Sequence, residues 1–263
     1  MAYEIKNLTN NDDVEKLDRA GCMQVLQYKR DLSVMPHTAQ MAWFANQMNV
    51  HKRQLLCLMN GNQVITQAGA MQWMLGNIQA TTGVKGVGDL MGKMFKGAAS
   101  GESVIKPEYT GQGVLMLEPT YKHIILVDVS EWGGAITLDD GLFLACDGTL
   151  KLDVQARSNF SSAVAGGEGL FNMMARGSGI LALECECPKE ELIEITLQND
   201  VLKVDGNFAI AWSSSLQFTV ERSGKSLMGS AVSGEGLVNV YRGTGKVWMM
   251  PVADHTAMAN TLG

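Results

Sequence analysis

Three glutamates, Glu102, Glu168 and Glu235, each follow a glycine in closely similar phrases of the chain. Three carboxylates brought to one point would bind a hard cation such as calcium or magnesium. That requires three copies of one unit arranged about a pseudo-threefold axis. The simpler alternative is local pairing, because Arg176 and Arg242 stand eight and seven positions after Glu168 and Glu235, a distance that a hairpin closes. Tyr109 or Thr110 holds the corresponding position in the first phrase, so such pairing is not uniform.

Other chemistries find less support. The histidines His37, His51, His123 and His255 form no HxH or HExxH pattern. No serine occupies a G-x-S-x-G elbow. "GVKGVGDLMG" lacks the strand-then-helix frame of a dinucleotide fingerprint, and "SGKS" at Ser223 has Thr219 where a P-loop needs glycine. Cys185 and Cys187 share one face of an extended segment, but Cys22, Cys57 and Cys146 stand at no diagnostic metal spacing. The sequence therefore assigns no catalytic residue, no metal and no cofactor.

The glutamates belong to a repeat. "SGESVIKPEYTGQG" (Ser100 to Gly113), "GGEGLFNMMARGSG" (Gly166 to Gly179) and "SGEGLVNVYRGTG" (Ser233 to Gly245) close on the pairs Gly111/Gly113, Gly177/Gly179 and Gly243/Gly245, 66 residues apart. Glycines so placed suit tight turns or bulges. An apolar run follows each pair, and period-two alternation marks Leu150 to Val154, Ile193 to Leu197 and Leu216 to Val220. The expected fold is all-β: three tandem β-sandwich-like repeats (50–119, 120–185, 186–251) forming one domain over 50–251. An N-terminal extension, 1–49, is expected to pack on that core, with helix-favouring composition in "TAQMAWFANQM"; 252–263 form a C-terminal tail. "GVKGVGDLMGKMFKGAAS", from Gly83 to Ser100, is an insertion in the first copy, with Leu90, Met91, Met94 and Phe95 at helical spacing.

The chain has 263 residues, 46% of them hydrophobic, and a net charge of −6, which argues against a nucleic-acid-binding surface. Lys85, Lys93 and Lys96 have only Phe95 among them to stack on a base. Five cysteines, with no apolar leader and no run approaching a membrane span, lead to an expectation of a reduced, cytoplasmic protein. There are seventeen methionines, and Met116, Met173, Met174, Met249 and Met250 sit beside the repeat strands, where they can fill a core.

The succession "QAGAMQWM", "SGESVIKPEYTGQG", "DDGLFLACD", "GGEGLF", "DGNFAIAW", "ERSGKSLMGSAVSGEGLVNVYRGTGKV" resembles the altered-inheritance-of-mitochondria family, from about Val50 to Pro251. The resemblance implies a pseudo-threefold β architecture similar to that of the trp RNA-binding attenuation protein, and it supplies no active-site residue. Fungal mitochondrial relatives are associated with inner-membrane organisation. The sequence departs from them in its extension, Met1 to Asn49, and in lacking a targeting segment. The expected role is binding or scaffolding without catalysis, towards a protein partner or another copy, with peripheral membrane contact kept open. A metal or small-molecule site on the pseudo-axis is the alternative.

Overall fold

A computed structural model describes residues 3–82, 106–156, 171–206, 208–222 and 237–252. Fifteen strands and one α-helix occupy them, and every strand pairing is antiparallel. The chain is all-β, with its strands divided between two sheets that curl towards barrels.

The first sheet contains β1 (Val14–Ala20), β2 (Met23–Tyr28), β3 (Arg53–Thr66), β4 (Met71–Thr81), β5 (Glu108–Leu117), β6 (His123–Asp128), β8 (Phe143–Asp147) and β11 (Ile180–Cys185). Its fourteen-residue strand β3 is shared: Arg53 to Cys57 pair with β2, Leu56 to Ile65 with β5, and Val64 to Thr66 with β8. The second sheet contains β7 (Ala135–Leu138), β9 (Lys151–Ala156), β10 (Phe171–Arg176), β12 (Ile193–Asp205), β13 (Ala209–Ser213), β14 (Gln217–Arg222) and β15 (Leu237–Met249). There β15 pairs with β12 on one side and with β13 and β14 on the other.

Strands β6, β8 and β11 carry nearly continuous apolar runs because both of their faces are buried. Ile125, Val127, Phe143, Cys146, Leu181 and Leu183 point into the core shared with Ile136, Leu138, Met173 and Ile210 of the second sheet. The alternate residues Ile124, Leu126, Leu144 and Ala182 pack with Val25, Leu55, Cys57 and Leu115 on the opposite side. Period two thus splits one strand between two cores.

The glycine pairs stand where the sheets bend. Gly111 lies opposite a bulge in β3 between Asn60 and Gln63, and Gly243 and Gly245 flank the position opposite a bulge in β12, pairing with Asp200 and Leu197 on its two sides. Gly177 and Gly179 span the connection that takes the chain from β10 in one sheet to β11 in the other.

The first fifty residues do more than lie on the core. The β1–β2 hairpin extends the first sheet through backbone pairing with β3, a role that the sequence reading, attentive only to the helical stretch, did not anticipate. The helix α1 (Ala39–Gln47) follows.

Candidate functional site

Helix α1 is oriented against the usual rule for a surface helix, which buries its large apolar side chains. None of its nine residues is buried. Its small face, Ala42, Ala45 and Asn46, turns towards Tyr28, His51, Lys52 and Tyr121 and encloses with them a cavity of about 240 Å³. Met41, Phe44 and Met48, at i, i+3 and i+7, are 69%, 56% and 77% exposed, and Trp43, 60% exposed, meets Phe44 edge-on with ring centroids 5.0 Å apart. Leu32 and Met35 just before the helix are exposed as well. From Leu32 to Val50 the sequence has no Asp, Glu, Lys or Arg. Helix α1 turns its alanines inward and presents its large side chains to solvent.

A polar frame fixes the helix in this pose. The Asn46 amide donates to the Lys29 carbonyl and lies 3.0 Å from His51 Nδ1, which is itself 3.1 Å from the Tyr28 carbonyl oxygen. Asn49, at φ 62°, turns the chain out of the helix. The Arg53 guanidinium, only 1% exposed, donates to Asn49 Oδ1 (2.8 Å), the Asn49 carbonyl (3.0 Å), and the His51 and Tyr121 carbonyls (3.3 Å each). Its Nε is buried without a hydrogen-bond partner among the described residues. Burial lowers the Arg53 pKa, yet arginine stays charged at any ordinary pH.

Two cations near the helix are paired with carboxylates. Lys52 Nζ lies 2.6 Å from Asp31 Oδ2 and Arg30 Nε 2.7 Å from Asp13 Oδ1. Hydrogen bonding to Lys52 holds the Asp31 carboxyl below its usual range, and the same contact raises Lys52.

His123 completes the frame. Burial first, and the Arg53 charge second, push its pKa from 6.5 down to about 4. The folded protein therefore holds His123 neutral while the unfolded chain protonates it below about pH 6.5. Its contribution to stability is fully present above pH 6.5, is lost as pH falls towards 4, and stops changing below that. With the ring only half-buried, the loss is on the order of 1–2 kcal/mol. Chemical denaturation of His123→Gln between pH 7 and pH 4 should give a correspondingly flatter stability curve than the wild type; equal slopes would remove His123 from the account.

The residues singled out by the sequence are distributed differently. Glu102, Glu168 and Glu235 lie outside the described residues, as do the Gly83 to Ser100 insertion and Lys85, Lys93 and Lys96. Arg176 pairs with Asp153 on the neighbouring strand β9. Arg242 pairs with Glu221 of β14, with Nη1 2.7 Å from Oε1 and Nη2 2.9 Å from Oε2, so both arginines have acidic partners on adjacent strands. Cys185 and Cys187 are buried at the end of β11, where the Cys187 amide donates to Cys185 Sγ at 3.4 Å. Among the described residues, no group of three or more His, Cys, Asp and Glu is placed to hold a metal, and no helix is long and apolar enough to cross a membrane. The outward face of α1 escaped sequence reasoning, although alanines at 39, 42 and 45 between large apolar residues in an uncharged run were its visible signal.

Comparison with known proteins gives three results. The family model described as mitochondrial biogenesis AIM24 matches residues 49–252. An uncharacterised protein of Streptococcus pyogenes serotype M6 is 30% identical over 200 residues, covering 73% of this chain and 78% of that protein. The crystal structure of a Streptococcus pyogenes protein matches with a TM-score of 0.59 and 28% identity, covering 82% of this chain and 94% of that one.

Proposed function

We propose that this chain, which belongs to the mitochondrial biogenesis AIM24 family, is a non-enzymatic cytoplasmic scaffold that pairs with a second copy of itself through the outward face of α1. The observation that carries the reading is the inverted helix, with alanines inward and Met41, Trp43, Phe44 and Met48 outward. Interface cores are rich in aromatic residues and methionine and poor in charge, which is the composition of this face. A surface without charge meets its own copy without like-charge repulsion, even in a chain of net charge −6. These four exposed side chains, together with Leu32 and Met35, present roughly 600 Å² per copy, or about 1,200 Å² for the pair, the lower end of what a stable dimer buries. The neighbouring Lys52 and Arg30 are held by Asp31 and Asp13, which lessens the positive charge available to attract anionic lipid.

The body behind this face is read as three copies of one module. The 66-residue spacing of the glycine pairs and the placing of Gly111/Gly113 and Gly243/Gly245 at bulges of β3 and β12 support that reading. Recurrence falls on turn formers and core residues, which suits a scaffold better than a catalyst.

Sedimentation velocity over a concentration series tests the proposal. The wild type should sediment as a dimer, and Trp43→Ser/Phe44→Ser should weaken self-association about 100-fold or more, with an unchanged far-ultraviolet circular dichroism spectrum. A monomeric wild type, or a double variant that dimerises equally well, would overturn it. So would a monomer that floats with electrically neutral phosphatidylcholine vesicles through Trp43 and Phe44.

A further inference from the structure

We infer that Cys22 and Cys57 form an oxidisable dithiol, which a hydroperoxide converts to a disulfide joining the β1–β2 hairpin to β3. Cys22 lies in the turn before β2, and Cys57 lies within β3 directly opposite Met23. The Leu58 amide donates to the Cys22 carbonyl at 2.8 Å, so the two backbones are tied at this point. Cys22 packs against the buried cluster that contains Cys57; its thiol donates to Asp147 Oδ1 at 3.9 Å, and the Asn62 side-chain amide donates to Cys22 Sγ at 3.1 Å. Cys22 is partly exposed whereas Cys57 is fully buried. One sulfur can meet a solute and the other can only meet its neighbour.

The electrostatics divide the two roles in the same way. The hydrogen bond from Cys57, aided by Asn62, lowers the Cys22 pKa against the opposing effects of burial and of Asp147. Cys57 is driven well above its ordinary value by the same pairing and by burial. The thiolate is the reactive form of cysteine, so attack starts at Cys22. The remaining thiols serve as internal controls, since burial pushes Cys146 up to about 12, Cys187 up to about 11, and Cys185 upward as well.

The step balances with a hydroperoxide as oxidant. The Cys22 thiolate attacks the terminal peroxide oxygen, the O–O bond breaks, and the departing oxygen leaves as water or alcohol after taking a proton. Cys22 is then a sulfenic acid. Cys57 gives up its proton, its sulfur attacks Cys22 Sγ, and the S–O bond breaks with release of water. Two thiols have lost two electrons and two hydrogens, and the peroxide has been reduced. The new bond closes a loop that contains α1, so the hairpin and the helix are fastened to β3 together.

The test uses the full-length reduced chain and hydrogen peroxide at low molar excess, followed by rapid alkylation and peptide mapping. The expected result is a Cys22–Cys57 linked peptide, reversible by dithiothreitol, with Cys146, Cys185 and Cys187 still alkylated. Cys57→Ser should accumulate a Cys22 sulfenic acid that dimedone traps, and Cys22→Ser should slow thiol loss about tenfold. Uniform loss of all five thiols, or peroxide treatment of the folded wild type without the linked peptide, would overturn the inference even if either variant failed to fold.

Discussion

Alanine at Gly113 or Gly111 is expected to destabilise the protein by about 4 kcal/mol or more. A Cβ built on Gly113 would stand 2.0 Å from the Leu75 carbonyl oxygen, and one on Gly111 2.0 Å from that of Asn77. Both obstacles are backbone atoms of β4, so no side-chain rotation relieves them. The φ angles, +153° at Gly113 and +138° at Gly111, add conformational strain. Relief would require separating β4 from β5, which pair over ten successive positions of β5. Gly61 is the control: its φ is +82°, but nothing lies within 4 Å of an added Cβ, so Gly61→Ala should lose only about 1 kcal/mol. Thermal denaturation of the three variants checks this ordering. A Gly113→Ala variant as stable as Gly61→Ala would show that β4 and β5 do not approach so closely.

The second large effect is expected at Arg53. Arg53→Ala removes donors from Asn49, His51 and Tyr121 together and leaves a cavity at a site only 1% exposed. Stability should fall by about 3 kcal/mol, read as a loss of roughly 6–12 °C in melting temperature. Arg53→Lys should recover only part of it, because an ammonium cannot reproduce the guanidinium fork. A second readout separates this account from a simple packing defect. The Arg53 charge helps depress His123, so the His123 pKa measured by nuclear magnetic resonance should rise in Arg53→Ala and remain low in Arg53→Lys. An unchanged His123 in the alanine variant would place the charge elsewhere.

What could be read from the sequence depended on whether one residue's neighbours lie nearby in the chain. Alternation at Leu150 to Val154 points to a strand because each residue's face is decided by its own position, and β9 begins at Lys151. The run from His123 to Asp128 is harder to read, since its apolar residues fill two different cores and the second is visible only after folding. Arg53, in "HKRQLLC", looks like a solvated charge at a strand entrance; its burial depends on Tyr121, 68 residues away. Distance along the chain offers Glu168 and Glu235 to Arg176 and Arg242, whereas strand pairing brings Asp153 and Glu221 to them. For α1, composition indicated a helix. Which face turned inward depends on residues brought beneath Ala42 and Ala45 from Tyr28, His51, Lys52 and Tyr121, neighbours that the helical sequence does not reveal.

Hydroxyl-radical footprinting of Met41 and Met48 across the self-association range addresses the α1 interface most directly. If two copies meet through this face, both methionines should oxidise slowly at concentrations where the dimer dominates and several-fold faster on dilution to monomer, while the buried Met116 stays slow throughout. Oxidation of Met41 and Met48 at one unchanging fast rate, in samples that sedimentation shows to be dimeric, would contradict the account.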